Sequence, residues 1–205
     1  MTVQVYHRYC RITRKSLSAK TNQRRCAIVT KTLDYLRRSN EENHQLTKEA
    51  IETALLLLLE QKPLKKIAIT ELVERAGVAR NSFYRNYSSK EDVLRIMLKE
   101  RFAQLASTNV ARFQESRQAG LLGLFQFIAA DFRFYQLLLA EGLRELLEEE
   151  AYRYQPMAFE EPDQQTYYRN RFVAAGITRV ICDWLGEKDP QSPEDMAELG
   201  NQMLK

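Results

Sequence analysis

Residues 67–94 read IAITELVERAGVARNSFYRNYSSKEDVL, and the fold follows from this stretch. Leu72, Val73 and Ala76 recur at helical spacing within Thr70–Ala76. Gly77 then supplies the residue that takes a positive φ and ends a helix without strain. Val78 returns a small apolar group to the core, and a short basic and aromatic segment follows, Arg80–Tyr87. Ser88 and Glu91 stand at capping-box spacing, as do Ser89 and Asp92 one residue on, so a further helix opens at either frame. Two helices joined through one tight glycine turn form a helix-turn-helix, whose second helix fits the major groove of a duplex.

The segment resembles the DNA-binding domain of the TetR-like bacterial transcription regulators. The likeness lies in Glu74-Arg75-Ala76-Gly77-Val78, Phe83-Tyr84-Arg85-Asn86-Tyr87 and Ser89-Lys90-Glu91-Asp92-Val93-Leu94, and covers roughly Leu46–Lys99. A second stretch, FVAAGITRVICDWLGE at 172–187, followed by a proline-started helix, is similar to one branch of those regulators. That branch has short C-terminal domains and includes regulators of dihydroxyacetone-kinase operons. The resemblance implies an all-α fold: a three-helix helix-turn-helix domain over 45–99 and a helical dimerisation and ligand-binding domain over 100–205. Residues 1–44 form a basic extension ahead of them.

Within the reading head, Arg80, Asn81 and Ser82 open the recognition helix, where side chains reach base edges first. An Arg can bond two acceptors on guanine and an Asn two positions on adenine, so Arg80 and Asn81 are the candidates for direct readout. Phe83, on the face opposite Asn81, is expected in the core, and so is Tyr87. The resemblance assigns Tyr84 to DNA contact and Lys90 to a phosphate; the plainer alternatives are a tyrosine packed on the first helix and a solvated lysine. Arg85 is a candidate for a base or a phosphate, and Thr70 for another phosphate. Ala68 stands where the family usually has a Ser or Thr cap, which weakens the expected start of the second helix.

Around the head, the chain reads as helical throughout. With seven Gly and five Pro in 205 residues, turn-rich β architecture is disfavoured, and 44% hydrophobic residues is ordinary for a globular protein. The first domain helix is expected over Thr47–Gln61, capped by Thr47, with Ile51, Ala54, Leu55, Leu58 and Leu59 as its apolar stripe and Pro63 as its stop. The fourth is expected from Ser89/Lys90 to about Ser107. A break at Gly120 and Gly123 leads to helices Leu121–Phe134, Phe134–Ala140 and, after Gly142, Leu143–Tyr154. A loop follows at Pro156–Asp163, then helices at Thr166–Gly186 and from Ser192-Pro193-Glu194-Asp195 onward. The last two are expected to build a four-helix interface in a homodimer, with Phe172, Ile177, Val180, Ile181 and Trp184 divided between seam and core. Phe127, Phe134, Tyr135, Leu138 and Trp184 are candidate walls of an effector pocket, though core packing alone would place them there too.

Charge is unevenly distributed. Residues 1–40 carry ten Lys or Arg against Asp34 alone, residues 41–100 ten of each sign, and the remainder eleven basic against sixteen acidic. An acidic C-terminal half is poorly suited to DNA, and the excess positive charge belongs to the N-terminal extension. Three readings of that extension compete: an upstream-start artefact, a flexible basic arm adding phosphate contacts, and an ordered extra helix, of which Ala27–Leu36 is the amphipathic candidate.

Catalysis is disfavoured. His7 and His44 are the only histidines, and the sequence has no phosphate-cradling glycine loop, no metal-ligand cluster and no nucleophile elbow. No cofactor and no metal are expected. Cys10, Cys26 and Cys182 show no metal-like pairing and are expected as reduced thiols, Cys182 buried. The run Ala54–Leu59 is far too short to span a bilayer, and Arg8, Arg11, Arg14 and Lys15 interrupt any signal-like core, so the expected location is cytoplasmic, without membrane contact. The expected partners are an operator in double-stranded DNA, a second copy of the chain, and a small-molecule or protein effector. The function these imply is a repressor released by its effector; the alternative is an operon activator or a partner-regulated adaptor on the same fold.

Overall fold

The computed structural model describes residues 19–153 and 163–204. The described residues are all-α: α1 (Ala19–Leu59), a 3-10 turn (Leu64–Lys66), α2 (Ile69–Ala76), α3 (Arg80–Asn86), α4 (Lys90–Glu115), α5 (Arg117–Ala130), α6 (Phe132–Ala140), α7 (Arg144–Arg153), α8 (Gln164–Gly186) and α9 (Pro193–Met203). The chain divides into two compact units, Met1–Glu49 and Ala50–Lys205. The predicted loop at Pro156–Asp163 lies outside the described residues except for Asp163, and so do Cys10 and the side chain of Cys26.

The first helix differs from its expected span. Helix α1 runs unbroken through Thr47, whose hydroxyl donates to the Asn43 carbonyl (2.7 Å) one turn back instead of capping. The reason is compositional: neither Gly nor Pro occurs between Ala19 and Lys62, and back-bonding lets a threonine sit inside a helix. Ile51, Ala54, Leu55, Leu58 and Leu59 are buried as the stripe predicts. The helix closes by turns at Gln61 and Lys62 onto Leu58, and Pro63 opens the 3-10 turn.

Helix α4 is longer than expected and carries the chain to Glu115. The break falls at Ser116, which caps α5 by accepting from Ala119 N (3.0 Å), and not at the glycines. Gly120 and Gly123 lie inside α5 on the face it packs against α4. A Cβ on Gly120 would sit 2.2 Å from the Phe113 ring, and one on Gly123 would sit 2.0 Å from Asn109 Oδ1. Asn109 is itself buried and donates to the Gly120 carbonyl (2.9 Å), so the two glycines let the backbones approach and a side-chain amide ties them. The next break is at Asp131, where α5 and α6 bend by 75°. The Arg101 guanidinium holds Asp131 at 2.6 Å and lies 3.8 Å over the Phe134 ring.

Helix α5 packs against α9, α7 against α4 and α8, and α6 against α8. Asp163 caps α8 through Thr166 N (2.7 Å), starting it two residues before the expected Thr166. Ser192 caps α9 through Asp195 N (3.1 Å), with Pro193 in the first turn, as the sequence predicts. Gly142, at φ +74°, makes the turn between α6 and α7. No single helix among the described residues is long and apolar enough to cross a membrane.

Candidate nucleic-acid interface

Helices α2 and α3 meet at Gly77, whose φ of 66° and ψ of 27° lie in the left-handed region. Gly77 N donates to Glu74 O (3.1 Å) and Val78 N to Val73 O (3.0 Å), which satisfies the carbonyls at the end of α2 and turns the chain sharply. Helix α2 starts at Ala68 without a side-chain cap, as the substitution there predicts. Its first turn is supported by Glu71, which takes both of its carboxylate bonds from Lys62 Nζ at 2.6 Å. That ammonium holds the Glu71 carboxyl below its ordinary range, and a negative charge suits a helix N-terminus.

Helix α3, the second of the helix-turn-helix, is fixed by its aromatic residues. Phe83 is fully buried and Tyr87, the C-cap, nearly so, with ring centroids 5.9 Å apart. The Tyr87 hydroxyl donates to Glu52 Oε1 on α1 (2.6 Å), and burial together with that carboxylate pushes the phenol well above its usual range. With 83 and 87 turned inward, helical geometry sends 81 and 85 to the opposite face and leaves 80 and 84 on its flank, and all four are exposed. Tyr84 keeps 48% of its surface. Arg80 lies 5.7 Å from the Tyr84 ring centroid, and its Nη2 donates to the Tyr84 hydroxyl at 3.4 Å. Ser82 is half-buried, and its carbonyl accepts from Asn86 Nδ2 (2.7 Å); Thr70 is exposed in the first turn of α2.

Lys90 opens α4 and is not simply solvated. Its Nζ donates to two backbone carbonyls, Leu64 O at 2.5 Å and Ile67 O at 2.8 Å, tying α4 to the connection between α1 and α2. The cap beside it uses the second of the two frames in the sequence. Ser89 accepts from Asp92 N (3.1 Å), while Asp92 Oδ2 accepts from both Ser88 N and Ser88 Oγ (2.9 Å each). The Ser88 N–H is the main reason that the Asp92 carboxyl sits below its ordinary range. The same connection is held from the C-terminal side: Leu64 N donates to Glu141 Oε2 at the end of α6 (2.9 Å). Sequence reading gave no sign of this bond, because the two residues lie 77 positions apart and Glu141 belongs to no motif.

A second feature lies farther down the helices. Side chains of α4, α5, α7 and α8 leave a cavity of about 270 Å³. The five expected pocket residues do not line it. Phe134, Tyr135, Leu138 and Trp184 are buried in the core and Phe127 is partly buried against it. Trp184 stands edge-on to Phe125 and Phe132, at 5.4 and 5.1 Å, and donates to Gln191 O (2.9 Å). The walls come instead from residues such as Phe102, Leu121 and Ile177, aliphatic and aromatic positions that periodicity alone cannot tell from core. On α8, Ile181 and Trp184 are core, Ile177 and Val180 are partly buried, and Phe172 is 82% exposed. Cys182 is buried, and burial pushes its thiol up.

A family model described as bacterial regulatory proteins, tetR family, matches residues 52–97. Another, described as transcriptional regulator C-terminal region, matches residues 115–205. No curated protein matches the sequence. Among solved structures, the dihydroxyacetone kinase operon activator DhaS is similar at a TM-score of 0.58 and 18% identity, over 77% of this chain and 93% of its own. A TetR transcriptional regulator from Streptococcus agalactiae 2603V gives 0.58 at 20% identity, over 82% and 99%. The fatty acid degradation regulator FadR from Bacillus halodurans gives 0.53 at 17%, over 77% and 94%. At such identities the likeness is one of fold.

Proposed function

The chain belongs to the TetR family of transcriptional regulators, and on that premise we propose that it binds a palindromic operator in double-stranded DNA as a homodimer and is a cytoplasmic repressor released by an effector. One observation carries the reading: Arg80, Asn81, Tyr84 and Arg85 stand exposed along the outer face and flank of α3 while Phe83 and Tyr87 lock its inner face into the core. Rigid backing and a polar, basic outer face are what a helix needs to enter a major groove and read base edges. Arg80 and Asn81 read bases; Ser82, Tyr84 and Arg85 share base and phosphate contacts; Thr70 takes a phosphate. Lys90 has a third N–H beyond the two given to Leu64 and Ile67, and this is the one for a phosphate oxygen.

So short a helix covers few base pairs, so two heads on one symmetric site are needed for affinity. Helices α8 and α9 form the proposed dimer seam, with Tyr168 and Phe172 exposed on α8 and Met203 on α9. The likeness in fold to an operon activator favours activation as the second reading. A gel shift with DNA from upstream of the chain's own gene, under excess nonspecific competitor, tests the proposal. A retained, dimer-sized complex is expected; equal binding to scrambled DNA would refute it. Transcription from that DNA, with and without the protein, separates repression from activation.

A further inference from the structure

The cavity among α4, α5, α7 and α8 is lined by hydrocarbon except at three residues, Asn109, Thr178 and Arg117. Asn109 and Thr178 are buried, and the Asn109 amide nitrogen is already bonded to Gly120 O. Arg117 is the one charged lining residue, and it is exposed, at the N-terminal end of α5. Its guanidinium donates to the Leu204 carbonyl, and no described carboxylate forms an ion pair with it. A volume of about 270 Å³ falls just under the ~300 Å³ at which small-molecule pockets begin, so the occupant is small. Apolar walls make water a poor filling. A cation at the rim repels amines and, being a planar fork, matches a carboxylate.

We propose that this cavity binds a small amphipathic carboxylic acid, its hydrocarbon body among Phe102, Leu121, Ile177 and Ile181 and its carboxylate on the Arg117 guanidinium. The proposal rests on the reading of the chain as an effector-responsive regulator and names the chemistry of the effector. Binding there presses on α4, the helix that begins at Lys90, and on Ile128 of α5, two residues before the helix ends at the Asp131 bend.

Isothermal titration of the full chain with octanoate, 1-octanol and octylamine tests the proposal without DNA present. Octanoate is expected to bind at least tenfold more tightly than octanol, and octylamine not at all. Arg117→Gln is expected to make octanoate and octanol equal. Ala106→Phe and, independently, Val173→Phe fill the cavity and are expected to abolish binding of both, with helical circular dichroism retained as the control on folding. A preference for octanoate that survives Arg117→Gln would overturn the anchor. Unchanged octanoate binding in a folded cavity-filled variant would overturn the site, and no octanoate binding at millimolar concentration would overturn the ligand class. A gel shift run in parallel keeps the two readings apart. Octanoate binding without sequence-specific DNA binding sinks the regulator, whereas DNA binding without octanoate binding sinks only the proposed effector.

Discussion

Gly77 shows how a single position sets the geometry of the reading head. A Cβ there would meet nothing within 4 Å, so the demand on this residue comes from its φ of 66° and not from crowding. Gly77→Ala should therefore destabilise by about 1 kcal/mol, the cost of holding an L-residue in the left-handed region, and Gly77→Asn by less, since Asn visits that region more readily. Urea melts of the two variants check the order. On the recognition helix, Arg80→Ala or Asn81→Ala should each weaken binding to cognate DNA by about 1–3 kcal/mol and relax sequence preference. Equal losses on cognate and scrambled duplexes would reassign Arg80 to the phosphates. Lys90→Ala should weaken all sequences alike and flatten the salt dependence of binding, and it should also loosen the connection that carries Leu64 and Ile67. These residues were legible in the sequence because a positive φ, a short basic helix and a capping frame each demand a particular residue type. The two carbonyl partners of Lys90 were not, because backbone acceptors leave no trace in a sequence.

Among the elements, helix starts were legible wherever a side chain makes them. Ser192 and Ser89 cap as their spacing requires, and Ser89→Ala should cost about 1 kcal/mol, read as a shift in the urea midpoint. Asp92, whose carboxyl is held low by the Ser88 N–H, contributes stability above the ordinary Asp pKa that is lost as pH falls through the lowered one. The deficit of Asp92→Asn at pH 7 should accordingly shrink as pH drops from about 4 toward 2. Helix ends and glycines were less legible. Gly120 and Gly123 read as a break because glycine is a common stop signal, yet a glycine also serves where two helices touch, and one sequence does not separate those uses. Gly120→Ala should destabilise by about 1–3 kcal/mol through overpacking on Phe113, and Phe113→Ala in the same chain should recover part of that loss.

For the whole molecule, the all-helical class and the division of labour between a basic, aromatic segment and a run of apolar helices were readable from periodicity and charge. What joins them was not: Glu141, the C-cap of α6, reaches Leu64 beside the helix-turn-helix, across 77 residues of chain. The residues that wall the cavity also escaped notice, since a lining leucine and a core leucine follow the same period. Assembly is the property of this scale that experiment can settle most directly. Sedimentation should give a dimer at micromolar concentration, and Phe172→Glu, which places a charge at an 82% exposed aromatic on α8, should give a folded monomer with much weaker operator binding. A dimer unaffected by that change would move the seam elsewhere. The chain has one tryptophan, Trp184, enclosed by Phe125 and Phe132. Its emission is therefore a single-site optical probe of the C-terminal helices, blue-shifted while they hold and blind to the residues around Gly77. Heating or acid that melts the helix-turn-helix end first would lower ellipticity while the fluorescence maximum stays in place.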